Sequence, residues 1–219
     1  MSYNTYIFDF DYTLADATMG IVECVNFALN QMGLEQKNCE EIRKTVGMTL
    51  RDIFFTLTGI SDKQQTEVFF SHFMFMADRI ITENTVLYPD AIDILTHLKK
   101  CDYKTAVVTT KVRYRVEEIL SKFNIKDLVD YIVGYEDVKS PKPSPEGLQK
   151  AITHFGCDKE TVLFIGDSLI DANAANNAGI DFAAVLTGTT TEEDFLALPN
   201  IIIADSLTKI IKFTAKESM

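Results

Sequence analysis

From Lys104 onward, short β-branched apolar runs alternate with stretches whose apolar residues recur every three or four positions. Residues 105–108, 131–133, 162–165, 182–185 and 201–203 read as strands. Between them, residues 112–123 place Val116, Ile119, Leu120 and Phe123 on one helical stripe. Residues 145–155 carry a proline in the first turn, 169–178 stop at Gly179, and 207–213 close the chain's last helix. A helix between two strands returns the chain to the end where the previous strand began, so consecutive strands lie parallel. The expectation is an α/β fold: a mostly parallel sheet core with helices on both faces.

The first part of the chain has a different texture. Residues 3–10 (YNTYIFDF) form an apolar, aromatic run that stops in carboxylates, as a buried strand ending at a polar edge does. Between about Ala15 and Thr85 no strand is evident. Ile21, Val25, Leu29 and Met32 share one helical stripe, and Leu50, Ile53, Phe54 and Leu57 another. Ser61 and Gln64 have capping-box spacing ahead of a helix with Val68, Phe69, Phe73 and Met76. This predicts an all-helical insertion at 15–85, with 1–14 and 86–219 forming the sheet domain and Pro89 opening the helix that leads back into it. Phe54, Phe55, Phe69, Phe70, Phe73 and Phe75 are read as core and interface of the insertion. The final residues, AKESM, read as a fraying end.

Composition narrows the partners. A formal charge of −11 over 219 residues repels nucleic-acid phosphates and anionic membrane surfaces, so neither is an expected partner. A small phosphorylated substrate stays compatible if a metal ion and a few lysines make the local field positive. No apolar run reaches membrane-spanning length, and Asp9 interrupts the N-terminal segment too early for an export signal. The four cysteines, Cys24, Cys39, Cys101 and Cys157, have no metal-ligand spacing and read as buried, reduced thiols in a cytoplasmic protein. His72, His97 and His154 stand singly in helical patterns, which argues against imidazole ligation. The oligomeric state is left open.

The chemistry is expected where polar residues terminate strands. The first strand runs into Asp9-Phe10-Asp11-Tyr12-Thr13, the strand at 105–108 into Thr109-Thr110-Lys111, and that at 162–165 into Gly166-Asp167-Ser168, with Asp171 one turn later. Lys142 precedes a helix whose start faces the same edge. In open α/β sheets ligands bind at the carboxyl ends of strands. Several carboxylates in one crevice repel each other unless a cation neutralises them, and an oxygen-only donor set favours Mg²⁺ over Zn²⁺. A carboxylate can attack phosphorus, and a second one two residues along can exchange a proton. Taken singly, Asp9 and Asp11 could be turn formers, and Ser168 and Asp171 could be helix caps; the four clusters occurring together outweigh those readings.

These four motifs, in order, resemble those of the haloacid dehalogenase-like hydrolase superfamily, over nearly the whole chain. Within it the chain is most similar to the phosphoglycolate phosphatase and pyrophosphatase group, through Val46-Gly47-Met48-Thr49-Leu50-Arg51-Asp52 and Thr109-Thr110-Lys111. The resemblance implies a Rossmann-like core, with the helical insertion as a small cap. It implies a phosphatase acting on a small phosphate monoester, best guessed as 2-phosphoglycolate. Asp9 would be the nucleophile that forms an aspartyl-phosphate, and Asp11 the proton donor and then base. Thr109 and Lys142 would hold phosphate oxygens, and Thr13, Thr110, Lys111 and Arg51 would contact substrate. Mg²⁺ would sit on Asp9, the Asp11 main-chain carbonyl and Asp167, with Asp171 or Ser168 nearby.

The chain departs from the family pattern in two places: Tyr12 stands where glycine is usual, and Thr110 where asparagine is usual. A β-phosphoglucomutase-type mutase is the first rival, but that group's early cap His and Arg are missing between Ala15 and Leu29. Inorganic pyrophosphatase is another rival, and a non-catalytic phosphate-binding protein a third.

Overall fold

The structure is a computed structural model that describes residues 3–216. The chain starts with β1 (Thr5–Phe8) and leaves through the two-residue strand β2 (Ala15–Asp16). Four helices follow: α1 (Thr18–Gln31), α2 (Cys39–Arg43), α3 (Leu50–Thr58) and α4 (Lys63–Ile80). The chain returns through β3 (Val86–Leu87), which pairs with β2. Then come α5 (Ala91–Lys100), β4 (Lys104–Val108), α6 (Arg113–Lys122), β5 (Tyr131–Val133), α7 (Glu146–Phe155), β6 (Val162–Gly166) and α8 (Leu169–Ala178). The last elements are β7 (Asp181–Val185), α9 (Glu192–Phe195), β8 (Ile202–Ala204) and α10 (Leu207–Lys216). Residues up to Ala15 and from Leu87 onward make one compact unit, and Asp16–Val86 a second.

The first unit is built on a six-stranded sheet of order β5-β4-β1-β6-β7-β8, in which each neighbouring pair is parallel. The α/β reading therefore holds. β1 is central and every one of its residues is buried, as is all of β6. Burial on both faces explains why these strands read as continuous apolar runs without alternation. Ile7, Phe164, Phe182, Phe195 and Leu148 belong to one core cluster. From β1 the chain builds outward to β4 and β5, then returns to build β6, β7 and β8 on the other side. The reversal of direction lies at β1, so its carboxyl end opens at the topological switch point.

In the second unit, Phe54 and Phe69 stack at 4.8 Å and Phe69 meets Phe73 at 6.3 Å, all three buried. Gly20 permits the close passage of α1 against the turn that follows α4: a Cβ there would lie 3.2 Å from Asn84 Cβ. Phe55, Phe70 and Phe75 are exposed and lie outside this buried group, with Phe75 stacked on Phe27 at 5.9 Å. Asp62, not Ser61, caps α4, its carboxylate accepting from the Gln65 N–H at 2.8 Å. A charged acceptor placed one residue before the helix displaces the hydroxyl two residues before it.

Other elements differ in detail from the sequence reading. Pro145 is the N-cap of α7, and α5 begins two residues after Pro89. Helices α2 and α9 and strands β2 and β3 are too short to show a period in the sequence. No disulfide joins the four cysteines, but only Cys24 is buried; Cys39 and Cys101 are exposed at helix ends. Of the expected fraying end at 215–219, the first two residues close α10 and residues 217–219 lie outside the described residues. No helix among the described residues is long and apolar enough to cross a membrane.

Candidate active site

Three adjacent strands end level with one another. Phe8 pairs in register with Val107 of β4 and Ile165 of β6. The next residue, Asp9, continues the ladder by donating its N–H to Ile165 O at 2.9 Å. Strands about 4.8 Å apart that stop together bring the residues after them into one small space. Asp9, Asp167 and Asp171 each direct a carboxylate oxygen into a cluster whose atoms lie within 4.8 Å of one another, and all three are buried.

Lys142 enters this cluster from the loop before α7, after which comes a cis Lys142–Pro143 peptide. Its Nζ lies 2.6 Å from Asp171 Oδ1, to which it donates, and 2.8 Å from Asp9 Oδ1. The second contact is an ion pair outside hydrogen-bonding geometry, and Asp9 Oδ1 accepts no hydrogen bond. Burial raises the Asp9 carboxyl to about 7 against the pull of Lys142, and the Asp171 charge adds to the rise. Burial, then the charges of Asp171 and Asp9, push Asp167 well above the usual carboxylate range. Burial also works to neutralise Lys142, but Asp171 and Asp9 outweigh it and hold the ammonium above its ordinary value.

The remaining expected residues divide. Asp11 Oδ2 pairs with Lys111 Nζ at 2.9 Å with both side chains nearly buried, while Asp11 Oδ1 is buried without a hydrogen-bond partner. Lys111 thus meets the second aspartate of the first motif. Thr13 donates to Asp167 Oδ1 at 3.3 Å. Thr109 is buried at the tip of β4 and its Oγ1 accepts the Lys111 N–H at 3.2 Å. Thr110 lies in the same turn, half-buried. Ser168 caps α8 and donates to Asp171 Oδ2 at 2.6 Å, so both its capping role and its proximity to the cluster are real. Arg51 is exposed on the first turn of α3, in the second unit, and is not among the residues gathered here.

Tyr12 occupies the left-handed region at φ 60, the conformation that a glycine takes without penalty. A non-glycine residue there is strained by about 1–2 kcal/mol. Its side chain is only 2% exposed, and losing a buried aromatic ring typically destabilises by about 3–5 kcal/mol. The ring outweighs the strain. Tyr12→Gly is therefore expected to lower unfolding stability by about 2–3 kcal/mol, read as an earlier urea midpoint at unchanged slope. An unchanged or later midpoint would show that relief of the backbone dominates.

Two residues were missed by the sequence reading. Leu186, Thr187 and Gly188 follow β7, so the strand-end rule that found the other clusters points to them as well. A Cβ on Gly188 would lie 2.0 Å from Asp167 Oδ2, and one on Gly166 2.6 Å from the Asp171 side chain. The two carboxylates occupy the space that larger residues would fill. Thr187 Oγ1 donates to the Tyr12 carbonyl.

The donor set fits a hard divalent cation. With all three buried carboxylates ionised, the single ammonium would leave two uncompensated negative charges in the cluster, and a 2+ ion would neutralise them. All the donors are oxygens, and Asp9 Oδ1, which accepts no hydrogen bond and faces only the Lys142 ammonium, supplies a buried acceptor with lone-pair capacity to spare. Asp11 and Lys111 balance each other separately.

Comparison with known proteins gives the same chemistry a family. A solved structure described as a haloacid dehalogenase-like hydrolase from Bacteroides fragilis is 41% identical, covers 95% of this chain and 100% of its own, and superposes with a TM-score of 0.93. A predicted phosphoglycolate phosphatase from Haemophilus somnus 129pt is 25% identical, with 98% and 99% coverage and a TM-score of 0.86. Pyrophosphatase PpaX of Bacillus cereus (strain AH820) is 32% identical over 188 residues, 84% of each chain. Residues 6–185, from β1 to the end of β7, match the haloacid dehalogenase-like hydrolase family, and the chain belongs to it.

Proposed function

We propose that the protein is a Mg²⁺-dependent phosphatase acting on a small phosphate monoester through an aspartyl-phosphate on Asp9. The observation that carries this reading is the placement of Asp9: a buried carboxylate at the tip of the central strand, beside Lys142 and the Asp167–Asp171 pair. Asp9, Asp167 and the Asp11 main-chain carbonyl would hold Mg²⁺, with Asp171 close by. The bound ion would neutralise carboxylate charge and polarise the phosphoryl oxygens.

In the first half-reaction an Asp9 oxygen forms a bond to phosphorus as the ester oxygen leaves, and Asp11 gives that oxygen a proton. In the second, Asp11 takes a proton from water, the water oxygen bonds to phosphorus, and the Asp9–phosphorus bond breaks to release phosphate. Lys111 holds the Asp11 carboxylate by one oxygen and so limits its rotation. Thr109 and Lys142 offer a hydroxyl and an ammonium to phosphate oxygens, as expected for transition-state charge. The helical unit Asp16–Val86 is read as a cap that excludes water during turnover. Arg51, Thr13 and Thr110 are assigned to substrate contact, and a cytoplasmic location suits four cysteines without a disulfide.

The relative described as a phosphoglycolate phosphatase favours 2-phosphoglycolate as substrate. A second reading, inorganic pyrophosphate, is favoured by the relatives named pyrophosphatase. A panel of phosphate esters and pyrophosphate ranked by kcat/KM separates the two. We expect phosphoglycolate to exceed pyrophosphate at least about tenfold, a difference of about 1.4 kcal/mol in transition-state binding. The reverse order would move the assignment to pyrophosphate.

A further inference from the structure

Resting on the metal-site reading above, we infer that Thr187 and Gly188, in the loop after β7, are positioning residues for the metal centre. Asp167 is held on two sides. Thr13 donates to its Oδ1, and its Oδ2 rests against the Gly188 main chain so closely that a Cβ there would overlap it at 2.0 Å. No residue larger than glycine fits this position unless the carboxylate moves. The glycine is not there for a left-handed turn, since its φ lies outside that region. Its role is steric.

Thr187 acts on the other side of the site, the turn after β1, which here contains a tyrosine at positive φ. Both peptide planes flanking Tyr12 are tied. The Tyr12 N–H donates to Ala15 O at 2.7 Å, and the Tyr12 carbonyl accepts the Thr187 hydroxyl. In a trans peptide the N–H and C=O point in opposite directions, so fixing the Tyr12 N–H also fixes the Asp11 carbonyl. Tyr88 Oη reaches Thr187 O at 3.4 Å and adds a long contact to the same loop. One short loop thus orients a side-chain donor and steadies the turn that carries a main-chain donor. Glycine in place of Tyr12 would give a looser turn, and in this chain the strained residue and its Thr187 tie come together.

Removing groups that orient metal ligands typically weakens metal binding 10- to 100-fold. The test titrates Mn²⁺ into the full-length protein, following free Mn²⁺ by electron paramagnetic resonance, with circular dichroism and urea unfolding as controls. Gly188→Ala is expected to weaken Mn²⁺ binding by about 10–100-fold and Thr187→Val by about 10-fold, while Thr187→Ser restores it. A merely structural role would shift the urea midpoint and leave binding by the folded protein unchanged. Wild-type Mn²⁺ affinity in both Gly188→Ala and Thr187→Val would overturn the inference and leave the phosphatase reading standing. Failure of Thr187→Ser to restore binding would overturn the role of the hydroxyl. If Gly188→Ala does not fold, the Thr187 pair decides alone. If the wild-type protein binds no Mn²⁺, the metal-site reading falls and this inference with it.

Discussion

Asp9→Asn is expected to abolish phosphate-ester turnover, by about 10⁴-fold or more in kcat, while the fold survives. The amide matches the carboxylate in shape but lacks the nucleophilic oxygen anion that would bond to phosphorus. Losses of this size are usual when the group that forms the covalent intermediate is removed. The fold survives because Lys142 keeps its 2.6 Å hydrogen bond to Asp171, so no buried ammonium is left alone. Release of p-nitrophenol from p-nitrophenyl phosphate measures the loss. Activity within tenfold of the wild type would remove Asp9 from the mechanism.

The same variant is expected to be more stable than the wild type at pH 8 when metal-free. In the folded metal-free protein Asp9 keeps its proton to about pH 7, whereas the ordinary carboxyl loses it near 3.8. Between those values the folded state binds more protons than the unfolded state, so stability falls as pH rises from about 4 to about 7. At about 1.4 kcal/mol per pH unit, Asp9 accounts for a few kcal/mol across that window. Asp167 is shifted in the same direction for the same main cause, burial. Asn titrates nowhere in this range, so Asp9→Asn should flatten the profile. Urea midpoints from pH 4 to pH 8 in EDTA, compared between the two proteins, measure this.

Metal removal carries the second large effect. Chelation with EDTA is expected to stop turnover and to lower the melting temperature by about 5–10 °C relative to saturating Mg²⁺. A ligand at 100 times its dissociation constant stabilises by about 2.7 kcal/mol, and a chain of this size shifts by about 2–4 °C per kcal/mol. The shift should be larger at pH 8 than at pH 5. At the higher pH Asp9 has lost the proton it keeps to about 7, and the cation relieves both its repulsion with the neighbouring carboxylates and its loss of hydration. At the lower pH protons compete with the metal for the same oxygens. Differential scanning calorimetry in Mg²⁺ and in EDTA at both pH values tests this. Equal melting temperatures, or turnover that persists in EDTA, would remove the cation from the account.

Much of the fold was legible because it depends on local regularities. The β1 and β6 runs are apolar on both faces, the helix after β4 carries its stripe at helical spacing, and those after β5 and β6 are marked by a proline at the start and a glycine at the end. Segments too short to show a period were not legible: α2, α9 and the paired β2 and β3. Which of the six phenylalanines are buried was not legible, because an aromatic residue on a helix does not announce which face the neighbouring helix covers. Among the site residues, Asp9, Thr109 and Asp167 were visible as polar stops after strands. Gly188 sits at an equivalent stop but carries no functional group, so only its contact with Asp167 exposes it.

By itself the amino-acid order determined which residues form the strands of the six-stranded sheet, that a crossover helix makes neighbouring strands parallel, and that charged residues gather where those strands end. These follow from side-chain periodicity and the length of each connection, both properties of a linear chain. Only the tertiary structure decided that β1 lies between β4 and β6, that Lys142 bridges Asp171 and Asp9, and that Lys111 turns to Asp11. Those pairings join residues far apart in sequence, and a salt bridge depends on a few ångströms of separation and on burial, neither of which the order of residues states.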